Sequence, residues 1–321
     1  MGKLLAICIS PKKGTEKREV KEAVLLPQFG IEGDAHAGKW HRQVSLLSLE
    51  KIEDFRKKGA EVEFGAFGEN LVVEGFDLSR CPVGSEIHVG EAVLELTQLG
   101  KECHSHCAIF HRMGDCIMPR EGVFSRVIKG GTIRQGDLVE VFPPDPKRAY
   151  TAAVITLSDR ASSGEYEDLS GPLIQDFLES QGIVVEERLL LPDGREALEK
   201  ALIRLADQRE ISLIFTTGGT GFSERDCTPE ATKAVCDREV PGIPEALRKH
   251  SLTITKKAML SRQTAGIRKH SLIINLPGSP KACTVFAFQR VGDDALIAHS
   301  RSSSCRRAVE KAASVLRPVG A

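Results

Sequence analysis

The stretch Leu213–Thr232, LIFTTGGTGFSERDCTPEAT, stops an apolar run at three clustered glycines, Gly218, Gly219 and Gly221, and resumes with a helical pattern. Glycine has no Cβ, so backbone N–H groups there can approach an anion, and Thr216, Thr217 and Thr220 add hydroxyl donors. Thr228 is expected as the N-cap of the following helix and Pro229 as its first residue. A helix N-terminus beside a glycine loop favours phosphate. The competing reading is a tight strand-to-helix turn that holds no ligand, because neither the P-loop pattern nor GxGxxG is present. Arg225 and Asp226 in the same loop weigh against that reading. A carboxylate beside a phosphate cradle is sensible only if a metal cation offsets the repulsion. Asp193 in LLLPDG and the turn NLPGSP, Asn275–Pro280, carry further polar groups. Each aspartate could instead be an ordinary turn residue.

A second dense patch is GKECHSHCAIFHRMGDC, Gly100–Cys116. Cys103, His104, His106, Cys107, His111 and Cys116 put soft ligands into one segment, which suits a structural zinc site. The spacing is not that of a standard finger, so a chance cluster is the alternative.

These residues need elements to hold them. The linker VFPPDPKRAY, Val141–Tyr150, has prolines at 143, 144 and 146, which exclude both helix and strand pairing. Before it, short alternating runs between Gly-rich turns predict a compact, mainly β, barrel-like domain over residues 1–142. After it, AAVITLS, IVVEERLLL, ISLIFTT and HSLIINLPG read as strands alternating with helices, one of them closed by Gly182. In GREALEKALIRLADQRE the residues Ala197, Leu198, Ala201, Leu202, Leu205 and Ala206 recur at helical spacing and predict one buried stripe. Such alternation gives an α/β domain with a mostly parallel sheet flanked by helices over 150–290, after a linker at 143–149. In an open parallel sheet ligands sit beyond the carboxyl ends of the strands, where Asp193, the glycine loop and NLPGSP would converge.

Composition limits the partners. The 321 residues exceed one ordinary domain, and Lys plus Arg equals Asp plus Glu at 44 each, so no field of one sign recruits nucleic acid or a membrane surface. No apolar run approaches the ~20 residues of a membrane span, and the N-terminus lacks a signal-peptide pattern, so a cytoplasmic location is expected. Nine cysteines are then expected as reduced thiols.

The motifs ITLSDRASSGEYEDLSG, LLLPDG, TTGGTGFSERDCTPEAT, VPGIPEALRKHSL and LSRQTAGIRKHSLIINLPGSPKA together resemble the molybdopterin adenylyltransferase family, over Ala152–Ala282. The resemblance implies joining of AMP from ATP to the terminal phosphate of molybdopterin, with Mg2+ and release of pyrophosphate. It implies catalytic and Mg2+-binding roles for Asp193 and Asp226. It also implies a pterin and nucleotide pocket formed by Ser158, Asp159, Thr217, Gly218, Gly219, Thr220, Gly221, Asn275, Pro277, Gly278 and Ser279, and a trimeric homo-oligomer. The motifs GIEGDAHAGKWHRQVSLLS, FGENLVVEG, PVGSEIHVGEAVLELTQLGKECHSHC and REGVFSRVIKGGTIRQGDLVEV resemble a MOSC domain over residues 3–142. That resemblance implies a reactive Cys103, as a molybdenum ligand or a sulfur carrier handling the molybdenum cofactor. It places Gly33, Asp34, His36, His41 and Arg42 in the same cleft, with Arg120 and Arg126 as phosphate binders. The two histidines have a competing reading as hydrogen-bonded structural residues. Together the two halves imply molybdenum cofactor biosynthesis, with a molybdenum-insertion protein or molybdoenzymes as partners. A binding or carrier protein without turnover, or sulfur transfer through Cys103, are the alternatives. The segment from Cys283 onward matches neither pattern, and residues 306–316 are expected as one amphipathic helix.

Overall fold

The computed structural model describes residues 1–101 and 108–287, the side chains of 108 and 284–287 excepted. Cys103, His104, His106 and Cys107 therefore lie outside the described residues, as do 291–321 with the expected helix 306–316. The chain divides into two compact units, Met1–Arg148 and Ala149–Ala321.

In the first unit seven strands close into a barrel. Around the ring, Gly2–Ile9 pairs with Leu71–Glu74, then Val44–Ser48, Val123–Lys129, Ala92–Leu99, Glu86–Val89 and Leu138–Phe142, which returns to Gly2–Ile9. Closure is antiparallel, with Gly2 opposite Val139 and Lys3 opposite Leu138. The strand period of two sorts the side chains. Leu4, Ile7, Leu46, Val73, Leu94, Leu96 and Val127 fill one core cluster, while Ala6, Cys8, Leu47, Val72 and Phe124 join the other with Ile52 and Phe55 of the helix Leu49–Arg56. The mainly β, barrel-like expectation is met.

A buried polar group ties the loops at one end of this barrel. Lys17 Nζ donates to Asp34 at 2.7 and 2.8 Å, and both side chains are essentially excluded from solvent, at 1% and 0% exposure. Asp34 also accepts from the Ser10 and His36 amides, each at 3.0 Å. Burial pushes the Asp34 carboxyl up, but bonds from His36 and Lys17, the Lys17 charge and the Ser10 amide outweigh it and hold it well below the usual carboxylate range. Glu69, fully buried, braces the turn that precedes it by accepting from the Gly65 and Phe67 amides at 2.8 and 3.0 Å. Burial dominates there and raises its carboxyl to about 7. A carboxyl whose folded pKa lies above its unfolded value stabilises the fold below about pH 4, and that contribution is lost as pH rises through the folded value. Unfolding followed through Trp40, the one tryptophan of the chain, is expected to show lower stability at pH 8 than at pH 5, with a shallower slope in Glu69→Gln. Equal slopes in parent and variant would contradict this. Burial also raises the Cys8 thiol to about 12 and the Cys236 thiol to about 11, so neither is a reactive thiolate at neutral pH.

The second unit is a three-layer α/β/α sandwich around a mixed sheet. The strand order is Val184–Leu191, Thr151–Leu157, Leu213–Thr217, Ser271–Leu276, Ala265–Arg268, Arg238–Glu239. The first four are parallel, and only Ala265–Arg268 runs against the others. The mostly parallel sheet is as expected, whereas its antiparallel edge is not. Ala152, Val154, Leu213, Phe215, Leu272 and Ile274 pack under the helices Ser170–Ser180 and Gly242–Ile254. Ala153, Ile155, Leu157, Ile214 and Ile273 pack under Arg195–Ile203 and Thr228–Val235. The expected stripe is buried at Leu198, Ala201, Leu202, Leu205 and Ala206, but Ala197 is exposed, because at about 100° per residue it lies at the margin of that face; a π turn over Arg204–Gln208 ends the helix. Gly182, at φ 71°, ends Ser170–Ser180 as expected: its amide donates to Glu179 O and the Ile183 amide to Leu178 O, a Schellman closure. A helix Pro280–Ala287 follows NLPGSP, capped by Ser279, whose Oγ accepts from the Ala282 amide at 3.2 Å. The strand Thr151–Leu157 is central: the chain moves to one side of it for Val184–Leu191, then to the other for Leu213–Thr217. This reversal opens a crevice beyond the carboxyl ends of Thr151–Leu157 and Leu213–Thr217.

Candidate functional site

Three loops meet at that crevice. From the central strand come Ser158 and Asp159, with Ser158 Oγ accepting from the Ala161 amide at 3.2 Å to start a short helix. From the outer strand comes Asp193. Asp159 and Asp193 clasp reciprocally, the Asp193 amide donating to Asp159 Oδ1 at 2.9 Å and the Asp159 amide to Asp193 Oδ2 at 3.2 Å. From Leu213–Thr217 comes the glycine loop.

That loop is fixed by close approach. Gly218 has φ 102°, and a Cβ there would lie 2.3 Å from the Leu157 carbonyl oxygen; a Cβ on Gly219, at φ 62°, would lie 2.3 Å from Thr228 Oγ1. No side chain fits at either position. A Cβ on Gly278 would lie 3.1 Å from Gly218 Cα, so the NLPGSP turn packs directly on the glycine loop. Ser170 Oγ donates to Gly278 O at 3.0 Å, which ties that turn to the next helix. Among the described residues the amides of Gly219, Thr220 and Gly221 meet no acceptor, which leaves three donors for an anion.

The threonines behave differently from expectation. Thr216 and Thr217 are fully buried: Thr216 Oγ1 accepts from Asn275 Nδ2 at 2.9 Å, and Thr217 Oγ1 donates to Pro277 O at 2.9 Å. Both hydroxyls are bonded within the protein, because the two residues point to opposite faces of a sheet that helices cover on both sides. Thr228 is the first helical residue, with Cys227 before it as N-cap, and its Oγ1 donates to Gly218 O at 2.9 Å. It latches the glycine loop instead of capping the helix. The Asn275 side chain is likewise bonded within the protein. It is fully buried, and its amide donates to Thr216 and Thr232 Oγ1, both at 2.9 Å, while its Oδ1 accepts from the Thr264 amide. Removing this clamp strands two hydroxyls and an amide, so Asn275→Ala is expected to lose about 2–4 kcal/mol of stability. Thermal unfolding of the variant checks this, an unchanged midpoint being the contrary result.

Asp226 lies half-buried on the far lip of the loop, its Oδ2 accepting from the Ser223 amide at 2.8 Å. Burial raises the Asp193 carboxyl above the usual range, and the negative charges of Asp159 and Asp226 push the same way. Arg225 pairs with Asp159, not Asp226, at 2.7 Å. Sequence reasoning missed Arg262 entirely. Its amide donates to Thr220 O at 2.9 Å, its Nε to Gly221 O at 2.7 Å, and its remaining nitrogens to Asp226 O and Glu230. One arginine between an irregular segment and a short strand carries no periodic signal.

In the barrel unit the expected cleft residues are largely committed. Asp34 is consumed by Lys17, and His41 Nε2 meets Gln98 Oε1 at 2.9 Å. Arg42 lies over the Trp40 ring at 4.8 Å and the Phe124 ring at 5.6 Å. Arg120 pairs with Asp115 and Arg126 with Glu95, each at 2.8 Å. Cys116 is buried in the core and His111 is exposed. Among the described residues no three His, Cys, Asp or Glu are gathered to hold a metal. No helix among them is long and apolar enough to cross a membrane.

Comparison with known proteins decides the affiliation. Residues 153–295 match the family described as "Probable molybdopterin binding domain", and residues 33–140 match the MOSC domain. A molybdopterin adenylyltransferase of Helicobacter pylori J99 is 50% identical over 138 residues, which span 40% of this chain and 74% of that protein. The chain belongs to the molybdopterin adenylyltransferase family. The Escherichia coli K12 member of that family is 46% identical over 132 residues, 40% of this chain and 67% of that protein. Among solved structures, the molybdopterin biosynthesis enzyme MoaB of Thermus thermophilus is 41% identical, with 42% of this chain and 86% of that chain covered and a TM-score of 0.41. The family match extends past Ala282 to residue 295, so the helix Pro280–Ala287 belongs to the matched region.

Proposed function

We propose that the second unit adenylylates molybdopterin, using ATP and Mg2+. The observation that carries this reading is the convergence of three loops: the glycine loop offers three unbonded amides and, next to Gly221, the Asp226 carboxylate, and Asp193 comes from the neighbouring strand, in a chain of this family. The attacking group is the terminal phosphate of molybdopterin, already anionic at neutral pH, so no general base is needed. Its oxygen forms a bond to the α-phosphorus of ATP, the bond from that phosphorus to the bridging oxygen breaks, and the electron pair leaves with pyrophosphate. Catalysis is then positioning and charge stabilisation. The amides of Gly219, Thr220 and Gly221 hold phosphate oxygens, and Gly278 sits against the same loop. Ser158, Pro277 and Ser279 shape the walls through their backbones.

The acids fit Mg2+ better than a cation that needs a full protein cage. Mg2+ takes one or two carboxylates plus substrate phosphates and water. Asp193 Oδ1 and Asp226 Oδ1 accept no hydrogen bond among the described residues, so each has an oxygen to give. The repulsion that raises Asp193 is what a cation would relieve. When bound, the ion offsets the charge gathering on the phosphates. Pyrophosphate release that requires both ATP and molybdopterin supports the assignment; release without molybdopterin opposes it.

The first unit is read as handling the same cofactor, with Cys103 as molybdenum ligand or sulfur carrier. Its support is the MOSC match alone, and a Cys103→Ser protein that retains molybdenum and persulfide sulfur at parent levels would remove it.

A further inference from the structure

We propose that Asp159 and Arg225 act as a positioning strap for the transfer reaction, setting the spacing of Asp193 and Asp226. The inference rests on the adenylylation reading and goes beyond it. Topology makes Asp159 the hub, since its strand lies between the strand that delivers Asp193 and the strand that delivers the glycine loop. Both of its carboxylate oxygens are spent across the crevice: Oδ1 accepts from the Asp193 amide at 2.9 Å, and Oδ2 pairs with Arg225 Nη1 at 2.7 Å. Arg225 directly precedes Asp226, whose carboxylate closes the turn onto the Ser223 amide, so a pull on the Arg225 side chain places Asp226. Arg262 holds the same turn from the opposite side through Asp226 O and Gly221 O. The turn that carries Asp226 is thus held by two arginines, of which Arg225 connects it through Asp159 to Asp193.

The pair cannot be explained as a stabiliser. Arg225 is 76% exposed and Asp159 39%, and exposed ion pairs add little to folding. Its effect is geometric, and for groups that must meet two phosphates and a cation, a displacement near 1 Å can cost up to ~100-fold in rate.

The test uses the full chain with Arg225→Gln, Asp159→Asn, the double variant and Arg225→Lys, measuring kcat, the KM for ATP, the Mg2+ concentration at half-activity and the thermal midpoint. Asn at 159 keeps an acceptor for the Asp193 amide while losing the ion pair. Each single variant is expected to lower kcat about 10-fold and raise the Mg2+ requirement, with the midpoint moved by no more than ~2 °C. The double variant should be no slower than the slower single, since the strap can be broken only once. Arg225→Lys should recover part of the loss. Losses that multiply in the double variant overturn the proposal, as does an Arg225→Gln rate within about twofold of the parent. A change confined to the KM for ATP in Arg225→Gln, with Asp159→Asn unaffected, overturns it in favour of direct phosphate binding. A parent that transfers no AMP removes the adenylylation reading and the strap together, whereas an active parent with an equally active Arg225→Gln removes the strap alone.

Discussion

Asp226→Ala is expected to slow AMP transfer by at least ~100-fold while leaving the protein folded. The side chain is half-buried on the lip of the crevice and, among the described residues, accepts one hydrogen bond, from the Ser223 amide. Arg262 holds the backbone of residue 226 through its carbonyl, which the substitution keeps. What is lost is a carboxylate oxygen available to Mg2+ and, with it, part of the charge stabilisation on the phosphates. Single-turnover measurement of AMP transfer reads this directly, and near-parent turnover would show that Asp226 is an ordinary turn residue. Asp226→Asn separates charge from shape: it can still accept from Ser223 but binds a cation weakly, so it should be slow as well.

A comparably large effect, on stability, is expected from Lys17→Met in the barrel unit. The side chains of Lys17 and Asp34 are 1% and 0% exposed, so removal of the ammonium leaves a buried carboxylate that faces only the His36 ring, Nδ1 3.5 Å from Oδ1, in place of its direct ion pair. The two remaining amide donors, Ser10 and His36, cannot replace it. Breaking a buried pair from one side costs about 3–5 kcal/mol. The double variant Lys17→Met/Asp34→Asn should recover a substantial part, because no charge is then stranded. Trp40 donates from its indole to His36 O at 2.9 Å, two residues from Asp34, so its fluorescence reports on this loop during denaturant unfolding. Equal midpoints for parent and Lys17→Met would mean the pair is worth no more than a surface contact.

What was legible in the sequence was local. The strands LIFTT and SLIIN, the Schellman glycine at 182 and the tight glycine turn all follow from period, turn chemistry and propensity. What was not legible depends on which way a side chain points once strands pair. Thr216 and Thr217 look like phosphate donors in TTGGTG, but in a central strand covered on both faces they are buried. Asn275 reads as a pocket residue beside a glycine turn, and its side chain clamps two strands and a helix. Arg225 and Asp226 are neighbours in sequence, yet the arginine's partner is Asp159, 66 positions away. Arg262 and the Lys17–Asp34 pair have no short-range signature, because each joins loops that only the folded sheet or barrel brings together.

The central claim is tested most directly by giving the purified full chain molybdopterin, Mg2+ and ATP labelled in its α-phosphate. Label is expected to appear covalently in a molybdopterin product, with one pyrophosphate released for each label transferred and no transfer when Mg2+ is removed. Label that stays in ATP while molybdopterin binds tightly would contradict it and leave a binding protein built on the same crevice.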